Sequence, residues 1–185
     1  MIPLLLVIWP GLLLIALLIR LTSRGPALFI QERLGKDGKI FRAYKYRTMT
    51  DRERVPDTIH FTGDPNEITF IGRILRRTKL DELPQILNVL KGDMSLVGPR
   101  PQLAVQLKDF NDDAKLRLHV LPGLTGMAQT HGGVMLTWPE RWYYDADYVR
   151  RLSFALDLWL IVRTFGVLLH GEARFTTRPA LDERN

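Results

Sequence analysis

Residues 2–19 read IPLLLVIWPGLLLIALLI, an 18-residue run without a charge. As a straight helix at 1.5 Å per residue it reaches about 27 Å, a little short of a hydrocarbon core of about 30 Å. Pro10-Gly11 stands at its middle. A proline inside a helix removes one backbone donor and crowds the carbonyl four residues before it, so a bend is expected between Trp9 and Gly11. Directly after the run, Arg20, Arg24, Arg33, Lys36 and Lys39 gather. Positive charge beside an apolar segment marks the cytoplasmic face. A straight span and a re-entrant helix, broken at Pro10 and returning to the same leaflet, both put that basic stretch at the cytoplasmic surface. A cleaved signal peptide fits less well, because the run has no basic n-region before it and no small-residue cleavage site after it.

Beyond the apolar run, Ser23-Arg24-Gly25-Pro26 punctuates the chain and ALFIQERLG has the content of a short strand. Lys36-Asp37-Gly38-Lys39 reads as a turn into IFRAYKYRTM, residues 40–49, in which aromatic and basic residues are mixed. That pattern suits either a basic surface strand or one that contacts phosphate. Residues 50–67 are polar, carry Pro56, Gly63 and Pro65, and are expected to be a loop. Helical periodicity returns with Ile71, Ile74 and Leu75 and continues through Leu80, Leu83, Ile86, Leu87 and Leu90. Pro84 interrupts it, so two helical pieces meeting near Asp81 are expected. A polar amphipathic helix is expected over residues 102–118, and a strong apolar one from about Ser153 to His170, with Trp159 suited to a bilayer interface.

The composition bounds the chemistry. A chain of 185 residues fits one domain. Without cysteine it has neither a thiolate nucleophile nor a Cys-bearing zinc site. A net charge of +6 favours polyanionic partners: phosphorylated ligands, anionic lipid or nucleic acid. No zinc-finger, RRM or helix-turn-helix signature supports the last of these.

Asp81-Glu82 is the most informative pair, flanked by Arg76, Arg77 and Lys79. Adjacent carboxylates at a helix start serve as caps. Among so many cations they also combine a carboxylate nucleophile, able to split phosphoryl transfer into two displacements, with a ligand for magnesium on a diphosphate. In Pro99-Arg100-Pro101 two prolines fix the backbone around a guanidinium fork that matches phosphate oxygens; a rigid turn with a surface arginine is the plainer reading. Lys79 and Arg47 are further candidates for donor phosphate or nucleotide. His60, His119, His131 and His170 lack metal-site spacing, and no Walker loop or strand-linked GxGxxG is present.

Taken in order, QERLGKDGKIFRAYKYRTM, KLDELPQILNVLKGDMSLVGPRP and LPGLTGMAQ, after a proline-bearing apolar segment, resemble the small monotopic phosphoglycosyl transferases, also called bacterial sugar transferases. The resemblance runs from about Leu4 to Thr164. It implies an α-rich α+β fold: a proline-broken re-entrant membrane helix over residues 1–22, a cytoplasmic catalytic domain with interfacial helices over 23–175, and a loose tail over 176–185. It also implies a bacterial inner-membrane location, a UDP-sugar donor, a polyprenyl phosphate acceptor, Mg2+ and no nucleic acid. Carried over by motif, Asp81 would attack the sugar-linked phosphate and release UMP, Glu82 would bind the metal, and Arg100 would contact donor phosphates or nucleotide. Three features depart from the family pattern. Trp9-Pro10 stands where Ser-Pro is usual, only eight residues precede that dipeptide, which suggests a longer native N-terminus, and His131-Gly132-Gly133-Val134-Met135 follows where Gly-Arg-Asn is common. A basic membrane-associated scaffold without catalysis is the alternative function.

Overall fold

The structure, a computed structural model, describes residues 2–50 and 67–180, with the backbone alone for residues 2–8. Most of the expected loop over 50–67, including His60, lies outside the described residues. The described chain is mostly helical, with two small sheets. It divides into two compact units, Met1–Gln31 with Arg42–Leu87 and Glu32–Phe41 with Asn88–Asn185.

In the first unit, α1 (Ile2–Thr22) runs through Pro10 as one helix and does not end there. Proline at position 10 deletes a single i→i−4 hydrogen bond, and the flanking leucines keep the rest of the ladder. Thr22 and Ser23 close the far end of the helix. The Thr22 hydroxyl donates to Leu18 O at 2.7 Å, and the Ser23 hydroxyl to Ile19 O at 3.1 Å. Among the described residues no helix is long and apolar enough to cross a membrane. Leu12 and Ile19 of α1 are buried with Tyr46, Leu75 and Ile86. The opposite side of α1 exposes Leu13, Leu14, Leu17 and Leu21.

β1 (Leu28–Leu34) pairs with β2 (Ile40–Tyr46), joined by the expected turn at Lys36–Gly38, where Asp37 and Gly38 both take positive φ. α2 (Phe70–Arg77) starts at Thr69, whose hydroxyl accepts from Gly72 N at 2.9 Å. Gly72 is required there: a Cβ would overlap the Thr48 carbonyl, so the helix backbone lies directly on the chain following β2. A six-residue 3-10 turn, Leu80–Gln85, then leads into α3 (Ile86–Lys91), so that α2 and the stretch from Leu80 onward are the two helical pieces expected to meet near Asp81.

The second unit is built on a parallel pair, β3 (Ser95–Val97) and β4 (Gly123–Thr125), in register Ser95↔Gly123 and Val97↔Thr125. Gly98 and Gly123 let the two backbones meet, since a side chain on either would strike main-chain atoms of the other segment. The helix expected over 102–118 is not continuous. A 3-10 segment, Ala104–Asp109, gives way at extended Phe110 to α4 (Asp112–Leu116), which restarts because the Asn111 side chain caps it through Ala114 N at 2.8 Å. After α5 (Met127–Thr130), α6 (Trp138–Arg151) opens with a Thr137–Glu140 capping box. α7 (Phe154–His170) begins at the Ser153 cap, matching the expected span. The core joins Val97, Met127, Leu136, Tyr144, Tyr148 and Leu160. Near the C-terminus, Thr177 N donates to His131 O at 3.0 Å, and Tyr144 OH to Thr177 O at 2.8 Å.

Candidate active site

Asp81 and Glu82 occupy the first turn of Leu80–Gln85. Lys79 precedes them in the left-handed region, φ 58°, an uncommon conformation for a residue with a side chain, and its backbone turns α2 into the carboxylate pair. Lys79 itself is exposed, while Asp81 and Glu82 are half-buried. Lys45 Nζ on β2 lies 2.8 Å from Glu82 Oε1, with the two side chains 20% and 16% exposed. The strand alternation of IFRAYKY therefore has a chemical result. Tyr46 is buried and its hydroxyl donates to Leu12 O of α1 at 2.6 Å, while Lys45, one residue before, meets the acidic pair. Burial pushes the Tyr46 phenol up to about 12, so it remains a donor at any physiological pH.

Arg47, expected at the donor phosphates, is 3% exposed and bound elsewhere. Its Nη2 donates to Ser23 O at 2.9 Å and Ser23 Oγ at 2.8 Å, fastening the exit of α1 to the end of β2. Lys45 is the residue that sequence reasoning passed over. Its signal was available: it is the basic position of β2 adjacent to the tyrosine that the core claims.

Arg100 lies in the second unit, exposed on the Pro99–Pro101 turn. Behind the turn, Arg117 Nη2 donates to Arg100 O and lies 3.0 Å from Asp145 Oδ2. The Arg117–Asp145 pair is almost wholly buried, 5% and 3% exposed at the side chains. Desolvation lifts the Asp145 carboxyl from its ordinary 3.8 to about 6, against the pull of Arg117 and Arg141. A cleft beside the turn is lined by Arg100, Gln102, Arg117, Phe110 and Leu34. Leu34 N donates to Gln102 O at 2.8 Å, which ties the end of β1 to the turn. The other aspartates of this region are also held: Asp147 by Arg151 at 3.1 Å, and Asp157 by Tyr148 OH at 2.8 Å.

Among the described residues, no group of three or more His, Asp or Glu gathers as a metal cage. His131 stacks on Tyr144 at 4.6 Å with Nδ1 2.7 Å from Met127 O, while His119 and His170 are exposed. The arrangement offers two adjacent carboxylates, one held by a lysine, and separately a guanidinium on a rigid turn. Such groups suit the chemistry of phosphate esters.

Comparison with known proteins agrees. The family model described as bacterial sugar transferase matches residues 1–171. The chain is 40% identical to the uncharacterized sugar transferase EpsL of Bacillus subtilis, covering 90% of this chain and 81% of that protein. It is 43% identical to the UDP-glucose:undecaprenyl-phosphate glucose-1-phosphate transferase of Caulobacter vibrioides, over 86% of this chain and 63% of that protein. It is 36% identical to the undecaprenyl-phosphate galactose phosphotransferase of Salmonella typhimurium, over 82% of this chain and 35% of that protein. The chain thus spans about a third to four fifths of the length of these relatives.

Proposed function

Because the chain belongs to the bacterial sugar transferase family and is therefore a transferase, we propose that it moves a sugar 1-phosphate from a UDP-sugar to polyprenyl phosphate. The products are UMP and a polyprenyl diphosphate sugar, which would serve bacterial surface glycan synthesis. The relatives' names support that donor and acceptor, and a transferase takes the place of the non-catalytic scaffold considered above. The observation that carries the mechanism is the adjacent pair Asp81-Glu82, with Glu82 held by Lys45 at 2.8 Å.

In this reading an Asp81 carboxylate oxygen attacks the sugar-linked phosphorus. The P–O bond to UMP breaks, UMP leaves, and the phospho-sugar is held as an aspartyl phosphate. A phosphate oxygen of the polyprenyl phosphate then attacks the same phosphorus, and the Asp81 carboxylate departs. Lys79 and Arg100 would bind donor phosphates or nucleotide, whereas Arg47 is left to anchor α1. Two neighbouring carboxylates fit Mg2+, which commonly takes one or two protein carboxylates and completes its shell with water and substrate phosphate. Glu82 would hold it beside the Asp81 nucleophile, and its chemistry would be to offset the diphosphate charge. The test is UMP release from a UDP-sugar panel in membrane vesicles. Turnover by the wild type and none by Asp81→Asn is expected; equal turnover by both removes Asp81 from the reaction.

We also propose that α1 enters one leaflet from the cytoplasmic face of the inner membrane without crossing. Leu12 and Ile19 are committed to the core of the first unit and Tyr46 bonds Leu12 O. Residues 2–11 then reach about 15 Å at 1.5 Å per residue, half of a core of about 30 Å. A single cysteine introduced at Thr22 would be labelled from the cytoplasmic side, and one at Ile2, held within the leaflet, from neither side. Labelling from opposite sides would show a span.

A further inference from the structure

We propose that Arg141 is a second phosphate-binding arginine, which with Arg100 and the underlying Arg117 makes the Pro99–Pro101 turn an anion site for a phosphate ester or diphosphate. The inference rests on the phosphoglycosyl-transfer reading and adds to it a residue that reading did not include. The three arginines are joined through one structure. Arg117 donates to the Arg100 carbonyl and pairs with Asp145 on α6 at 3.0 Å. Arg141 stands one turn before Asp145 on that same helix. Its guanidinium is held rather than free to wave: Nε donates to Leu136 O at 3.0 Å, Nη2 donates to Val134 O at 3.1 Å, and the group lies over the Trp138 ring at 4.6 Å. A fork fixed by two carbonyls and a ring loses little freedom when its remaining N–H groups meet an anion.

The charges around it indicate what is missing. Arg141 is pushed down first by burial; next comes the repulsion of Arg100, ahead of the opposing pull of Glu172 and Asp145. Arg117 is likewise pushed down by burial and, more weakly, by Arg141. An added anion would relieve the repulsion between Arg141 and Arg100. The cleft beside the turn adds an independent sign. Arg117 and Gln102, 6% and 5% exposed, both line it, and Arg117 Nη1 and both Gln102 amide atoms are buried without a hydrogen-bond partner in the described structure. Buried donors left in that condition are costly unless something occupies them.

Phosphate of this kind comes from the nucleotide or from the lipid acceptor, and titration calorimetry on the full chain in detergent separates the two. UMP and farnesyl phosphate are titrated into wild type, Arg141→Gln and Arg141→Lys. Gln keeps a donor for the Leu136 carbonyl but no charge; Lys keeps the charge. We expect Arg141→Gln to weaken one ligand about tenfold or more, the loss of a charge-assisted hydrogen bond, and Arg141→Lys to recover most of it at unchanged thermal stability. A loss confined to UMP places the nucleotide phosphate at Arg141, and a loss confined to farnesyl phosphate places the lipid phosphate there. Unchanged affinity for both ligands in Arg141→Gln overturns the proposal while leaving the transferase reading intact. So does an equal loss in both variants accompanied by a fall in thermal stability, which would make Arg141 a structural brace. Failure of the wild type to bind either ligand would overturn the transferase reading itself.

Discussion

The Lys45–Glu82 pair lies at the acidic dyad, and Lys45→Met would remove a charged hydrogen bond from a half-buried carboxylate. A hydrogen bond to a charged group contributes about 1.5–3 kcal/mol, so UMP release should fall about 10- to 100-fold while membrane association persists. Unchanged turnover would show that the pair is incidental. Arg117–Asp145, the more deeply buried pair, supports the Arg100 turn from behind. Because the folded state raises the Asp145 carboxyl from 3.8 to about 6, it holds its proton more tightly folded than unfolded. Its contribution to stability is therefore full below about pH 4 and declines as pH rises to about 6; above that it is ionised and paired with Arg117. Chemical denaturation across pH 4–7 should reveal this declining component in the wild type, and it should be absent from Asp145→Asn. At pH 7, Asp145→Ala strands Arg117 in the interior, a change that typically costs about 3–5 kcal/mol. The dyad itself was legible in the sequence, because two carboxylates beside a cluster of cations stand out without a fold. Lys45 was not singled out, since strand alternation supplies a face but no partner. The contact of Arg47 with Ser23 was not legible either, because a basic residue at the end of a strand carries no mark showing that it will turn inward.

The helices were read with uneven success, and the failures share a cause. α7 came out as expected because its apolar spacing is long and Ser153 supplies a cap. The segment over 102–118 has a similar polar-apolar rhythm, but the Asn111 cap restarts the helix and the rhythm does not reveal the interruption. α1 continues through its proline, which takes one backbone hydrogen bond from a helix without having to end it. α7 also exposes Leu158, Val162, Phe165 and Leu169 along one face. Spacing of three and four residues makes that an apolar stripe of the kind that lies in a lipid interface. Phe165→Glu with Leu169→Glu, 63% and 80% exposed in the parent, should leave thermal stability nearly unchanged and markedly weaken sedimentation with anionic vesicles. Undiminished vesicle binding would assign the stripe another purpose.

At the scale of the molecule, the chain builds its first unit from α1, much of the β1–β2 pair and the segment ending at Leu87, and its second from the remainder. Motif order in the sequence pointed to the family. The division into units did not follow from it, because β1 and β2 each begin in one unit and end in the other and no linker composition marks the passage. The acidic dyad falls in the first unit and the Arg100 turn in the second. The most direct test of the account is intact-protein mass spectrometry after mixing the purified chain with a UDP-sugar that it turns over, without acceptor. The account predicts a mass increase of one phospho-sugar, located at Asp81, absent from Asp81→Asn and discharged by polyprenyl phosphate. Product formation by the wild type with no adduct at Asp81, or undiminished product from Asp81→Asn, would contradict it.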